Sequence, residues 1–324
     1  MEASSTRPAF AIIGPGRVGR ALGRRLVVAG YPLAGVIARD EAQAAAAAVE
    51  MLQLPAGMAQ PVADAEKTAV LQQAQLLFVA TPDRAIRAVA TELAELMAQL
   101  PSARRHRGER AAFHLSGALP AEELEPLRTV GFAVASLHPN QSFAAAAAVD
   151  SLRGIAWGLE GDPAAVAWGR RVVADLEGIV LEIEPSRKAL YHAAACVASN
   201  YLAVLLHMAT RLYEAAGIPA AKAFEALVPL MRGSLDNAVQ MGLPDALTGP
   251  IERGDAATVQ RHLEAMRAAR VDPQVEAMYR ILGGAAVELA SAKGSIAAET
   301  ALALRKLLDG PTGIRTGADG AQRG

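Results

Sequence analysis

Polar side chains that could act on a substrate follow two strand-like apolar runs in the first half of the chain. His114 and Ser116 come at the end of one run, and His138 and Asn140 come at the end of another. Ligands of open α/β sheets bind outside the carboxyl ends of the strands, and histidine changes its charge near neutral pH. We therefore predict a shared crevice in which His138 orients a substrate and His114, Ser116 and Asn140 contact it. The alternative is that some of these residues only brace their loops.

A mostly apolar helical segment in the second half of the chain carries further polar residues. Lys188 and His192 project along one narrow stripe of this helix, and Asn200 lies on the neighbouring stripe. Polar groups on a buried helix need partners, which a substrate cleft against the first domain would provide. We predict that Lys188 or His192 donates a proton and that Asn200 contacts substrate. A polar network inside a helical dimer core is the alternative.

Arg253 lies in a second compact polar stretch, residues 247–255, just before another helical pattern. Its guanidinium could bind an anionic group of a substrate, and an ordinary surface arginine is an equally good interpretation. The histidines have no short metal-ligand spacing and no neighbouring carboxylate, so we predict no metal site.

A glycine-rich segment follows the first apolar run directly and opens a helical pattern. In this position Gly14 permits a tight turn, Gly16 lets the backbone approach a pyrophosphate, and Gly19 lets helix and strand pack closely. The phosphates would bind the free N–H groups at the helix N-terminus. The pattern therefore favours a bound dinucleotide over an empty turn. The predicted cofactor contacts are Gly14, Pro15, Gly16, Arg17, Val18, Gly19, Arg39, Thr81 and Pro82.

The end of the second strand-like run bears on which dinucleotide is bound. An acid at this point holds the ribose 2′-OH of NAD, whereas an arginine pairs with the 2′-phosphate of NADP. The sequence offers both, as Arg39 followed by Asp40. Because Asp40 and Glu41 also suit the start of the next helix, Arg39 is left free for the phosphate. We predict NADP, with NAD as the less favoured alternative.

The elements that must position these residues form two domains. Apolar runs alternate with helical patterns up to about residue 185, which is typical of a parallel sheet covered by helices. Beyond that point only helical periodicity continues, to about residue 308. The predicted fold is therefore α/β, with a doubly wound, mainly parallel sheet over residues 8–185 and an all-helical domain over residues 186–309. Residues 310–324 are predicted to be a mobile tail.

Composition excludes several classes of protein. The 324 residues are 52% hydrophobic and 20% charged, which excludes a disordered chain. A net charge of −1 lacks the excess of positive charge that a general nucleic-acid-binding protein needs. The single cysteine, Cys196, favours a reducing compartment, and we predict a cytoplasmic protein. A basic cluster is predicted to be a solvated loop; it comprises Arg104, Arg105, His106, Arg107 and Arg110.

Residues 189–210 contain no charged side chain and are long enough to span a membrane. Their histidine, serine and asparagine residues would be costly in a bilayer, so we predict a helix buried in protein and no membrane contact. The helix is too apolar around most of its circumference for the outer layer of a monomer, which favours a homodimer formed through the helical domain.

Several motifs together resemble a bacterial family of Rossmann-like oxidoreductases whose C-terminal domain is catalogued as one of unknown function. The resemblance implies an NADP-type Rossmann domain and a helical dimerising domain, and it spans residues 8–308. The motifs are Gly14-Pro-Gly-Arg-Val-Gly19, Leu137-His-Pro-Asn-Gln-Ser-Phe143, Lys188, Tyr191-His192-Ala-Ala-Ala, Ser199-Asn200-Tyr201 and Leu247-Thr-Gly-Pro-Ile-Glu-Arg-Gly-Asp255.

More distantly, the chain is similar to ketopantoate reductases, β-hydroxyacid dehydrogenases, pyrroline-carboxylate reductases and prephenate dehydrogenases. Lys188 matches the catalytic lysine of the first two families, but His192 stands where they have asparagine. His138 and Pro139 resemble the His-Pro pair of prephenate dehydrogenases, although the residues that follow differ. The similarity implies hydride transfer and leaves the substrate open.

These observations lead to one expected function and two alternatives. We expect an NADPH-dependent oxidoreductase that moves hydride to or from a small, anionic carbonyl or imine compound in an interdomain cleft. The first alternative is a sensor that binds NADP without turnover, and the second is a helical interaction module.

Overall fold

A computed structural model of the protein describes residues 7–53, 64–100, 109–143 and 149–309. The predicted mobile tail, residues 310–324, lies outside the described residues, as do Arg104, Arg105, His106 and Arg107. Contacts divide the chain into two compact units, Met1–Ser199 and Asn200–Gly324. The boundary predicted at residue 185 follows the last strand, whereas the contact boundary follows the next helix, which belongs to the first unit.

The first unit is built on a seven-stranded sheet with the order β2-β1-β3-β4-β5-β6-β7. Neighbouring strands are parallel, except that β6 runs antiparallel to β5. This confirms the predicted doubly wound, mainly parallel sheet. The strands are β1 (Phe10–Ile13), β2 (Leu33–Ile37), β3 (Leu76–Val79), β4 (Ala111–His114), β5 (Ala133–Pro139), β6 (Ala156–Gly161) and β7 (Ile179–Glu182).

Helices cover both faces of this sheet, and the strands are short apolar runs because alternate residues enter two separate cores. Phe78 and Phe113 stack in one core with their ring centroids 5.2 Å apart, whereas Leu77 and Val79 enter the other. The helices of this unit are α1 (Arg17–Val28), α2 (Glu41–Leu52), α3 (Asp64–Gln73), α4 (Ile86–Ala98), α5 (Glu125–Arg128), α6 (Pro163–Asp175) and α7 (Lys188–Ala198).

The described residues of the second unit form helices and turns, as predicted for the C-terminal part of the chain. A small apolar core holds α11, α12 and α13 together through Val259, Leu263, Val287 and Leu304. The helices are α8 (Asn200–Ala215), α9 (Ala220–Met241), α10 (Leu243–Ala246), α11 (Ala256–Ala268), α12 (Pro273–Lys293) and α13 (Ala298–Leu308).

The apolar segment predicted to be a buried helix is exposed in the single chain. Pro185–Ala215 is long and apolar enough by composition to cross a membrane, and none of its most apolar stretch is buried. Leu190 is 73% exposed and Val197 is 60% exposed. The single chain therefore does not supply the predicted burial, because apolar periodicity does not show whether the covering surface comes from the same chain.

Arg110 also departs from prediction, since it is not part of a solvated loop. Arg110 is 4% exposed, and its guanidinium donates hydrogen bonds to the carbonyl oxygens of Leu71 and Ala74, at the C-terminal end of α3. It lies 3.8 Å from the centroid of the Phe132 ring, and burial lowers its pKa to about 10. Arginine suits this place because helix ends leave carbonyl groups without partners.

Candidate active site

The glycine-rich segment forms a tight turn between β1 and α1. Gly14 has a φ of +83°, and a Cβ atom there would lie 2.7 Å from Thr81 Cγ2. A Cβ atom at Gly19 would lie 2.8 Å from the carbonyl oxygen of Gly14 and 3.0 Å from Ala80 Cβ. Side chains are therefore excluded at both positions by the packing of the protein itself.

Gly16 is different, because a Cβ atom there would meet nothing within 4 Å. Gly16 is exposed and caps α1 without a side-chain hydrogen bond, so the first N–H groups of the helix face open space. Beside the turn, the hydroxyl oxygen of Thr81 is buried and has no partner among the described residues. An open space lined by free donors and an orphaned hydroxyl fits a bound dinucleotide pyrophosphate.

The remaining predicted cofactor residues surround this turn. Pro15 is buried, Val18 is half-buried and Pro82 is exposed. Arg17 is exposed, and its guanidinium lies 3.4 Å from the carbonyl oxygen of Phe143.

The two residues at the end of β2 are used differently. Asp40 caps α2, because its carboxylate accepts hydrogen bonds from the backbone N–H groups of Ala42 and Gln43 at 2.9 and 3.4 Å. Arg39 is exposed, and no described residue pairs with its side chain. Asp40 thus has the structural position that the NADP prediction requires, and Arg39 is available for a phosphate.

Lys188 begins α7 and is buried, with 1% of its surface exposed. Its Nζ atom donates a hydrogen bond to Ser136 Oγ at 2.5 Å and lies 3.8 Å from Glu160 Oε1. Burial lowers the pKa of Lys188 to about 8, although the carboxylates of Glu160 and Asp83 oppose that change.

The positions of Ser136 and Glu160 follow from the geometry of the antiparallel pair β5–β6. Ser136 lies opposite Glu160 and His138 lies opposite Gly158, so these residues share one face of the sheet. Sequence reasoning missed Ser136 and Glu160 as members of the site. The available signal was an acidic residue, Glu160, directly after four strand residues of apolar or glycine type.

His138, Tyr191 and His192 form an aromatic cluster beside this lysine. His138 Nδ1 is 2.9 Å from the Tyr191 hydroxyl, and the His138 and His192 rings are nearly perpendicular, with centroids 5.6 Å apart. Burial lowers the pKa of His138 to about 4, with further lowering by the charges of His192 and Lys188, so the ring is neutral at pH 7. His192 Nδ1 is buried without a partner among the described residues. Tyr191 had no predicted role.

Two glycines make room for this cluster. A Cβ atom at Gly117 would collide with His192 Nδ1 and would lie 2.8 Å from His138 Nε2. A Cβ atom at Gly158 would lie 2.8 Å from the Tyr191 hydroxyl. The three rings therefore pack directly against backbone, and the open nitrogen of His192 faces the loop after β4.

His114 and Ser116 both support the loop after β4, which is the alternative that the sequence left open beside substrate contact. His114 is fully buried; its Nε2 atom lies 2.9 Å from the Pro120 carbonyl oxygen, and its Nδ1 atom accepts from the backbone N–H of Ser116. The Ser116 hydroxyl donates to Asp83 Oδ2 at 2.9 Å and accepts from the N–H groups of Ala118 and Leu119. Burial lowers the pKa of His114 to about 4, so a neutral ring fits both contacts.

These supports connect the dinucleotide turn to the buried lysine. Asp83, which follows Thr81 and Pro82 after β3, accepts from the Ser116 hydroxyl at 2.9 Å. The backbone carbonyl of Ser116 accepts from Ser136 Oγ at 3.1 Å, and Ser136 accepts from Lys188. A continuous line of hydrogen bonds therefore joins the segment beside the predicted cofactor to α7.

The other predicted substrate residues are exposed. Asn140 follows β5, and its backbone N–H donates to the Ala156 carbonyl oxygen at 2.9 Å. Asn200 begins α8 and Arg253 lies in the turn before α11, both in the second unit.

Cys196 Sγ is 3.7 Å from His192 Nε2. Within the described residues, no three His, Cys, Asp or Glu side chains are grouped to hold a metal ion.

Two domain families match the chain. Residues 2–139 match a Rossmann-like domain, and residues 155–286 match a domain of unknown function, DUF2520. The second match begins just before β6 and so includes Glu160, Lys188 and His192. A comparison with curated proteins by sequence finds no match.

Several solved structures resemble the chain over most of its length. Protein TM1727 from Thermotoga maritima is 25% identical, with a TM-score of 0.61 over 88% of this chain and 99% of that chain. A 1-pyrroline-5-carboxylate reductase from Streptococcus pyogenes is 16% identical, with a TM-score of 0.55 over 93% of this chain and 100% of that chain. A reductive aminase from Aspergillus terreus, solved with NADPH and ethyl levulinate, is 19% identical, with a TM-score of 0.55 over 94% and 99% of the two chains. The chain therefore combines a Rossmann-like domain with a C-terminal DUF2520 domain, as its motifs predict.

Proposed function

We propose that this protein is an NADPH-dependent reductase that adds hydride to the carbon of a small carbonyl or imine compound. The main support for this proposal is the line of hydrogen bonds from Asp83 through Ser116 and Ser136 to Lys188. This line links the segment beside the dinucleotide turn to a buried proton donor. The named activities of the pyrroline-carboxylate reductase and the reductive aminase support an imine, and the former supports an anionic substrate.

When bound, NADPH supplies the hydride, and the chain has to supply a proton to the substrate heteroatom. Lys188 is suited to this because one of its three N–H donors is used, in the hydrogen bond to Ser136, and no other described residue accepts a hydrogen bond from it. A burial-lowered pKa of about 8 leaves the ammonium protonated at neutral pH but ready to release its proton.

The two histidines orient the substrate in this proposal. Neutral His138 is held by Tyr191 and so presents its ring in one orientation. His192 lies beside His138, with the two ring centroids 5.6 Å apart, and is the second ring that a polar group of the substrate would engage. Asn140, Asn200 and Arg253 remain candidates for further substrate contacts.

Titration with NADPH and NADH separately, followed by nicotinamide fluorescence at fixed salt, tests the cofactor. We expect NADPH to bind about 10- to 100-fold more tightly, because a charge-assisted bond from Arg39 to a phosphate is worth about 1.5 to 3 kcal/mol. Arg39→Gln is expected to remove this preference while NADH binding stays the same. Equal affinity for both dinucleotides would contradict the role of Arg39.

A panel of cyclic imines and keto acids then tests the reaction by NADPH oxidation. Oxidation with any member supports a reductase. Tight NADPH binding with no oxidation across the panel would favour the sensor, and failure to bind either dinucleotide would overturn the proposal.

We also propose that the protein is a homodimer in the cytoplasm, with no membrane contact. The second copy covers exposed apolar side chains of α7 in the first unit and of α8 and α9 in the second. Large apolar side chains there are more than half exposed, which is costly in a monomer. We expect sedimentation equilibrium to give twice the chain mass of 33.6 kDa and replacement of Leu235 and Val239 by aspartate to give the monomer. A monomeric wild-type protein would contradict the dimer. The residues are Leu190, Val197, Tyr201, Leu230, Leu235 and Val239.

A further inference from the structure

Glu160 is a buried carboxylate whose presence in the sheet needs a reason. The residue is 4% exposed and follows apolar neighbours in β6. Its Oε1 atom accepts one hydrogen bond, from the Ala121 backbone N–H at 2.8 Å, and Oε2 has no partner among the described residues. A half-satisfied carboxylate in a protein interior is costly unless a cation compensates it.

Lys188 is the cation placed to compensate this carboxylate. Its Nζ atom lies 3.8 Å from Glu160 Oε1, and the two side chains are 1% and 2% exposed. The shorter contact of Nζ is to the neutral hydroxyl of Ser136. The lysine is therefore held against the sheet by an uncharged partner and has Glu160 as its close anionic neighbour.

Other titratable groups face the same lysine from each neighbouring element. Asp83 approaches from the segment after β3 and attracts the ammonium less strongly than Glu160 does. His114 from β4 and His138 from β5 are neutral at pH 7, because burial lowers the pKa of each to about 4. His192 lies on α7 itself.

Charges also surround the carboxylate. Glu122 repels the charge of Glu160, and Arg128 attracts it more weakly than Lys188 does. Burial raises the pKa of Glu160 and lowers that of Lys188, and each charge opposes the change in the other.

We propose that Glu160 is the counter-charge that keeps Lys188 protonated, and that it acts on the reaction only through the lysine. Its part in catalysis rests on the proposed reductase function, whereas its effect on the charge of Lys188 does not. In one turnover the substrate gains a hydride from NADPH and one proton from Lys188 Nζ. The neutral amine then regains one proton from solvent, and Glu160 keeps its negative charge throughout.

The charge of Lys188 can be measured without turnover, because the chain has only five lysines. Protein labelled with ¹³C at lysine Cε gives one set of five signals, and the loss of a signal in Lys188→Met assigns Lys188. We expect this signal to titrate near pH 8 in the wild type and at least about one pH unit lower in Glu160→Gln, since removing a buried counter-charge favours the neutral amine. An unchanged midpoint would overturn the proposal.

Two further variants sharpen this measurement. Glu252 pairs with Lys293 at 3.0 Å, with side chains 20% and 23% exposed, so Glu252→Gln removes a paired carboxylate elsewhere in the chain. We expect the Lys188 midpoint to keep its wild-type value in this variant. If Glu160→Gln does not fold, Glu160→Asp replaces it: retracting the carboxylate has to lower the Lys188 midpoint by a smaller amount, and no movement contradicts the proposal.

The pH profile of kcat/KM separates this role from a merely structural one. We expect kcat/KM of Glu160→Gln to match that of the wild type within about threefold at pH 6, where Lys188 is protonated in both proteins. At pH 9 we expect it to be about tenfold lower than in the wild type. A uniform loss at every pH would mean that Glu160 only supports the fold. A shifted Lys188 signal without any NADPH oxidation would count against the reductase alone.

Discussion

Gly16→Val is expected to weaken NADPH binding by at least about 100-fold while the protein keeps its thermal stability to within about 1 kcal/mol. A Cβ atom at Gly16 meets no protein atom within 4 Å, and its φ of −71° is accessible to valine. The new side chain would therefore fill only the space where a pyrophosphate approaches the first N–H groups of α1. The nicotinamide fluorescence titration measures the loss.

Gly19→Val is the matched control for this prediction. Its Cβ atom would lie 2.8 Å from the Gly14 carbonyl oxygen and 3.0 Å from Ala80 Cβ, so the substitution disturbs protein packing first. We expect a lower melting temperature for Gly19→Val and none of that loss for Gly16→Val. Unchanged NADPH affinity in a folded Gly16→Val protein would show that the turn is structural and binds no pyrophosphate.

The fold predictions that the structure confirms were based on local sequence patterns. The short apolar runs at Phe10–Ile13 and Leu76–Val79 are strands, since residues buried on both faces of a parallel sheet need no polar alternation. The glycine turn was also visible, because strand, glycines and helix are consecutive in the chain. Such features depend on neighbours in sequence alone.

Some residues of the candidate site could not be predicted, because they are brought together by pairing between strands that are distant in the sequence. Glu160 joins the site because β6 runs antiparallel to β5 and places it opposite Ser136. Nothing in the local sequence of β6 indicates that partner or that register. His114 and His138 both come at the ends of strands, yet the loop 116–120 closes over His114 and occupies both of its nitrogens, whereas His138 meets Tyr191.

Exposure of the apolar helices was unpredictable for a similar reason. An apolar helix surface has one sequence pattern whether its own chain, a second copy or lipid covers it. Leu190 and Val197 therefore indicate a preference for burial, but they do not identify the covering surface.

Lys188→Met is expected to lower kcat by about 10² to 10⁴-fold and to leave the affinity for NADPH unchanged. Methionine keeps much of the buried volume of the side chain but removes the proton and the charge. The dinucleotide turn is distant from Nζ in the hydrogen-bond line, which passes through Ser136, Ser116 and Asp83 before it reaches the segment beside the turn. Lys222→Met, on the exposed side of α9, is the control for loss of a lysine.

The role of Lys188 as proton donor also predicts how kcat depends on pH. With a pKa of about 8, Lys188 is protonated below that pH, so wild-type kcat is expected to be level there and to fall as the pH rises through 8. The residual rate of Lys188→Met has no lysine to titrate and is expected to lack this fall. Turnover by Lys188→Met within a few-fold of the wild type, with the fall retained, would assign the proton to another group. His192→Gln would then test the second candidate, because the His192 ring lies next to His138 in the same cluster.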